Sequence, residues 1–148
     1  MFRKSKKSSL LATCESFSLI AEDVEIVGNV IFSAGMRIDG RLRGEVLGRA
    51  GDATQSSLLV LTDKGHIEGK VCCHDALING TVVGDIDVEN RLELQSEARV
   101  SGSIRYRSLQ VDVGAVIDGR MIKVDPHAVN VLVMEHEVTA RTIKRVLA

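Results

Sequence analysis

Apolar residues in this chain return in a five-residue unit, apolar-x-Gly-x-apolar, that occurs six times: Ile26-Val27-Gly28-Asn29-Val30, Leu42 to Val46, Ile67 to Val71, Val82 to Ile86, Val100 to Ile104 and Ile117 to Met121. The units start 16, 25, 15, 18 and 17 residues apart. The long interval holds Gly48 to Ser57, a polar, glycine-containing stretch that reads as a surface loop inserted into one repeat. An offset of 17 aligns Leu92 with Leu109, Leu94 with Val111, Ala98 with Ala115, Val100 with Ile117 and Ile104 with Met121. An earlier unit supplies Leu59, Leu61, Gly65, Ile67 and Val71 to the same columns. Apolar residues two apart, broken by glycine or small residues, predict short strands with inward side chains separated by corners, three strands to a coil of about 17 residues. Polar residues at most alternating positions, Arg41, Glu45, Glu68, Lys70, Glu93, Asp118 and Arg120, are expected to face outward. The pattern predicts an all-β, single-stranded parallel β-helix of about six coils, each stacked on the last at the ~4.8 Å inter-strand spacing.

A second self-similarity, at an offset of 40, matches Ile38 to Val46 with Ile78 to Ile86, which is two coils plus the inserted loop. Composition agrees with a narrow stacked core. Of 148 residues 45% are hydrophobic, yet the aromatics are only Phe2, Phe17, Phe32 and Tyr106. Layers of β-branched aliphatics suit stacked coils, whereas a globular core leans on bulky rings. Thirteen Gly permit tight corners, and a single Pro leaves N–H groups available for continuous ladders. An antiparallel β-sandwich, the competing all-β reading, would want turns every 8 to 12 residues or about that, with no fixed register between units.

Charge divides the chain. Residues 1 to 14 carry Arg3, Lys4, Lys6 and Lys7 and no acid, a net +4, whereas residues 15 to 122 carry 11 basic and 17 acidic residues, a net -6. An acidic body repels phosphate, so no nucleic-acid partner is expected. The arm formed by Met1, Phe2, Arg3, Lys4, Lys6 and Lys7 joins one insertable aromatic to four cations and is expected to bind membrane lipids; its bland alternative is a solubilising tail. Leu10-Leu11-Ala12 before Cys14 is too short for a secretory leader, so export is not expected, and no apolar run approaches the roughly 18 residues that span a bilayer. Any membrane contact is therefore expected to be peripheral. Cys14, Cys72 and Cys73 lack metal-site spacing and are expected to be reduced. Near the other terminus, Glu135 and Glu137 precede Lys144 and Arg145, with Val133, Ala140, Ile143 and Leu147 roughly on one face, an order that suits a short helix.

Together, Ile38-Asp39-Gly40-Arg41 with Gly44-Glu45-Val46, the repeated I-x-G-x-V units and the basic N-terminal tail resemble the bactofilin family of bacterial cytoskeletal proteins over about residues 18 to 122. The resemblance implies a right-handed triangular β-helix that polymerises end to end into nucleotide-independent filaments, often on the inner face of the cytoplasmic membrane. There it would position unidentified client proteins in cell-shape, cell-wall or polarity roles. The expected divisions are a basic arm at 1–17, read as disordered; a β-helical domain at 18–124 with the loop inserted at 48–57; and a C-terminal tail at 125–148. The loop and the aliphatic tail depart from the family pattern.

A β-helix end exposes unpaired backbone groups and a cross-section of core, and neither end here shows a proline or charged plug. Subunit contacts are therefore expected at Leu19, Ile20, Val24 and Ile26 in the first coil and at Ile117, Met121, Ile122 and Val124 in the last. The alternative class is enzymatic: left-handed hexapeptide acyltransferases and zinc carbonic-anhydrase relatives carry similar units. Their period is strict, however, and His66, His74, His127 and His136 share no spacing that would gather a base or a zinc site. No Walker loop, Rossmann glycine set or nucleophile elbow is present, so no catalytic residue, metal or cofactor is assigned.

Overall fold

The computed structural model describes residues 17–49 and 56–125, which form 18 short strands and no helix. Coil one runs through β1 (Phe17–Ile20), β2 (Glu25–Val27) and β3 (Val30–Phe32), and coil two through β4 (Gly35–Ile38), β5 (Arg41–Arg43) and β6 (Val46–Gly48). Coil three has β7 (Leu58–Leu61), β8 (His66–Glu68) and β9 (Val71–Cys73), and coil four β10 (Asp75–Ile78), β11 (Thr81–Val83) and β12 (Ile86–Val88). Coil five has β13 (Arg91–Leu94), β14 (Arg99–Ser101) and β15 (Ile104–Tyr106), and coil six β16 (Ser108–Val111), β17 (Val116–Asp118) and β18 (Met121–Lys123). The first strands of successive coils pair in parallel as face A, the second strands as face B and the third strands as face C, six strands to a face.

Side chains alternate along each strand, so register decides what is buried. On face B the middle residues form the inward column Ile26, Leu42, Ile67, Val82, Val100 and Ile117. These are the apolar residues that open the six sequence units. Face A contributes Ile38, Leu59, Leu61, Ile78, Leu92 and Leu94, and face C contributes Val46, Val71, Ile86 and Ile104, all joined in one core. Each aliphatic thus stacks on its equivalents above and below, which is why a narrow prism needs few aromatic rings.

The three corners behave differently. Between faces B and C it is always two residues, and the first is Gly28, Gly44, Gly69, Gly84, Gly102 or Gly119. Their φ values lie between 140 and 153°, a region that favours glycine. From Gly44 onward, a Cβ would also strike the carbonyl oxygen of the glycine one coil below. The backbone ladder continues through this corner: the N–H of Gly44 donates to Glu68 O at 2.9 Å, that of Gly69 to Val83 O at 2.9 Å and that of Gly84 to Ser101 O at 2.8 Å. Second-place side chains add rungs, with Asn29 Oδ1 accepting from Glu45 N at 2.9 Å and Asp85 Oδ1 from Ser103 N at 3.0 Å.

Between faces A and B the corner has two residues in coils two and four, Asp39-Gly40 and Asn79-Gly80, and four in the others. That alternation explains the similarity at offset 40. Four-residue corners close on themselves, for example by Gly65 N–H to Thr62 O at 2.9 Å. Between faces C and A one or two residues suffice everywhere except after coil two, where residues 49–57 intervene. Both feet of this excursion are tied down: Arg49 N–H donates to Phe32 O at 2.8 Å, while buried Ser57 accepts Asp75 N–H on its carbonyl at 2.9 Å and His74 N–H on Oγ at 3.0 Å.

Some details differ from expectation. Glu45, Lys70 and Arg120 occupy B–C corners and not strands. Glu93 does lie on the outward side of face A, but is only 4% exposed.

Candidate functional site: the open ends of the solenoid

Among the described residues, β1, β2 and β3 have no strand beyond them at one end, nor do β16, β17 and β18 at the other. Each of these six edges presents a row of backbone groups of the kind that pair with another chain. In every lower coil the corner glycine donates its N–H to the next coil; for Gly119 no described strand follows to accept it.

Core is open at the same ends. Val111 is 45% exposed although Leu94, its neighbour in the same inward column, is fully buried. Leu109, Ala115, Ile117 and Met121 are also only partly covered, because no coil lies over them. At the first coil Ile26 and Val30 are partly buried, while Ile20 and Phe32 are closed to 7% exposure by their neighbours. The register thus brings four of the expected contact residues, Ile20, Ile26, Ile117 and Met121, to the ends of the core. Val24 closes the A–B corner of coil one, 40% exposed, donating its N–H to Ala21 O at 3.0 Å. Val124 follows β18 and donates to Tyr106 O at 2.6 Å. Leu19 and Ile122 take outward positions, on the sides of faces A and C. Sequence reasoning passed over Val30, Phe32, Leu109 and Val111, which the column alignment itself places at the two ends.

Charges around the rim are exposed and loosely paired. Lys64 Nζ reaches Glu22 at 2.9 Å, and Arg43 Nε lies 3.6 Å from Glu25 and 3.5 Å from Glu68. Such pairs contribute little to stability. Asp39 is better held: Arg37 donates to both its oxygens at 3.0 and 3.2 Å, and Thr62 Oγ1 lies 2.8 Å away. The Arg37 guanidinium keeps the Asp39 carboxyl below the usual carboxylate range against the opposing effect of burial. Burial pushes the Cys72 and Cys73 thiols up, far up for Cys73, which leaves them poor nucleophiles.

Among the described residues no group of three His, Cys, Asp or Glu side chains could hold a metal, and His66 lies on the outside of face B with its Nε2 3.2 Å from Glu68 Oε1. No helix among them is long and apolar enough to cross a membrane. The expected membrane-binding residues Met1, Phe2, Arg3, Lys4, Lys6 and Lys7 lie outside the described residues, as do Cys14, His127, His136 and the segment expected to form a C-terminal helix.

Comparison with known proteins agrees with this geometry. Residues 18–122 match the family Bactofilin, described as polymer-forming cytoskeletal. Bactofilin BacP of Myxococcus xanthus (strain DK1622) is 33% identical over 100 residues, which cover 64% of this chain and 42% of that relative. The chain therefore spans less than half the length of the curated relative it matches. No solved structure shows a significant match. A solenoid whose first and last described coils present both core and edge strands, matched along its coils by a family description that is structural and not enzymatic, leads to one conclusion: the chain belongs to the bactofilin family of polymer-forming cytoskeletal proteins.

Proposed function

We propose that this protein assembles end to end into filaments through coils one and six, without nucleotide, and that the filaments lie on a cytoplasmic membrane and position other proteins. The observation that carries this reading is the pair of open ends, where six edge strands and a cross-section of aliphatic core coincide. Stacking a second copy continues both the backbone ladder and the aliphatic columns, so hydrogen bonding and apolar burial act together. No other described surface combines the two. The test is Met121→Arg, which puts a charge into the end of the inward column that runs through fully buried Ile104. The variant is expected to remain folded by circular dichroism and to sediment as small particles, whereas the parent forms filaments in negative-stain microscopy without added nucleotide. Unimpaired filaments in the variant would overturn the assignment of the ends.

Membrane attachment is supported by the cationic arm. Each Lys or Arg near an anionic leaflet contributes about 1 kcal/mol, so one arm is weak and a filament presenting many arms is strong.

A further inference from the structure

Face A carries an apolar strip on its outer side. Register places Leu19, Arg37, Val60, Leu77, Glu93 and Gln110 in one outward column, and Phe17, Gly35, Leu58, Asp75, Arg91 and Ser108 in the other. Outward apolar residues of an uncovered sheet are exposed, as Ile31 is at 55% on face C and Val83 at 47% on face B. Leu58, Val60 and Leu77 are instead 1, 9 and 4% exposed, and they cluster apart from the interior core. Asp75 and Glu93 beside them are 5 and 4% exposed. Yet every described strand belongs to the solenoid's own three sheets, and none of them lies over this patch.

How the strip changes along the axis identifies its occupant. The apolar residues of the strip lie in coils one, three and four, at Phe17, Leu19, Leu58, Val60 and Leu77, with Arg37 between them in coil two and Asp75 beside Leu77 in coil four, and it is polar throughout at coils five and six. It therefore leads away from the end at which residues 1–16 join the solenoid. Residues 126–148 join at coil six and would have to cross the polar part first, and the inserted loop offers little hydrocarbon beyond Ala50 and Ala53. Leu10 and Leu11 precede Phe17 by seven and six residues, a reach of about 20 Å when extended, while coils three and four lie about 10 and 14 Å from coil one.

We propose that Leu10 and Leu11 fold back along the outer side of face A and cover Leu58, Val60 and Leu77, so that the basic stretch from Arg3 to Lys7 projects from that face. The docking is independent of filament growth and of lipid, and its test uses neither. Val60→Cys is made in the full chain with Cys14→Ser and Cys72→Ser, and its reaction with an aromatic disulfide reagent is followed. Adding Leu10→Asp and Leu11→Asp is expected to accelerate labelling roughly tenfold or more. Buried Cys73 serves as the control, since it reacts only if the solenoid opens. Equal rates overturn the proposal. So does protection that disappears on removing residues 126–148, or that grows with chain concentration, because the cover is then the C-terminal tail or a second copy. Independently, Leu11→Cys paired with Val60→Cys is expected to close an intramolecular disulfide on mild oxidation at low chain concentration; its absence overturns the proposal even if the labelled variants fail to fold.

Discussion

At the scale of single residues, glycine and one ion pair show how local demands differ along one column. Gly28 and Gly69 share nearly the same φ, 140 and 146°, but a Cβ on Gly28 meets nothing within 4 Å while one on Gly69 strikes the Gly44 carbonyl. Gly28→Ala is expected to cost about 1 kcal/mol, for backbone strain alone, and Gly69→Ala about 3 kcal/mol or more, read from urea unfolding with an unchanged slope. Equal losses would show that the carbonyl contact adds nothing. Asp39 gives a pH signature. Its carboxyl is held below the ordinary value near 4, so its pairing with Arg37 stabilises the fold fully above that value and ceases to do so as pH falls through the folded one. Asp39→Asn is therefore expected to lower the urea midpoint at pH 6 and to leave it unchanged under strongly acid conditions. A deficit that persists in acid would point to Thr62, whose hydroxyl also bonds Asp39, and not to the charge.

Strands and corners set the next scale, and here most of the architecture was legible in the residues. Six apolar-x-Gly-x-apolar units became the seam from face B to face C, because a two-residue corner with φ near 145° leaves the choice of residue almost no freedom. The irregular spacings of 15 to 18 were equally real: they record A–B corners of two or four residues combined with C–A corners of one or two. What alternation did not reveal is the covered patch on face A. Its signal was present in Leu58-Leu59-Val60-Leu61, four apolar residues in succession, the mark of a strand buried on both sides. Leu19 and Ile122 point outward from faces A and C, and closeness to an end in sequence does not say toward which side a strand residue points. The inserted loop offers a clean test of element independence. Deleting residues 49–56 leaves Ser57 as a one-residue corner like His74, keeping its bonds to His74 and Asp75. The solenoid is expected to survive with a stability change of about 2 kcal/mol or less, measured by thermal unfolding. A collapse of cooperativity would mean that the loop holds coils two and three together.

On the scale of the whole molecule, pairing is almost entirely between adjacent coils, so the coils support one another in sequence and the ends carry what the middle does not need. Under the proposed stacking, the end residues govern assembly while the middle governs stability. Attachment belongs to this scale too. In liposome sedimentation with anionic vesicles, the full chain is expected to pellet and a variant lacking residues 2–7 to remain largely in the supernatant. Met121→Arg made in the full chain, arm included, separates arm strength from avidity: if this monomeric chain pellets as well as the filament, the multiplicity of arms plays no part.

One seam of the prism is fixed and two are not. Every B–C corner has two residues and a ladder that passes straight through it, whereas the A–B corner alternates in length and the C–A corner has admitted nine residues. Insertions and deletions accumulated by related chains should accordingly map to two edges and spare the third. A designer wishing to graft an epitope or an enzyme onto such a rod has the same two edges to choose from.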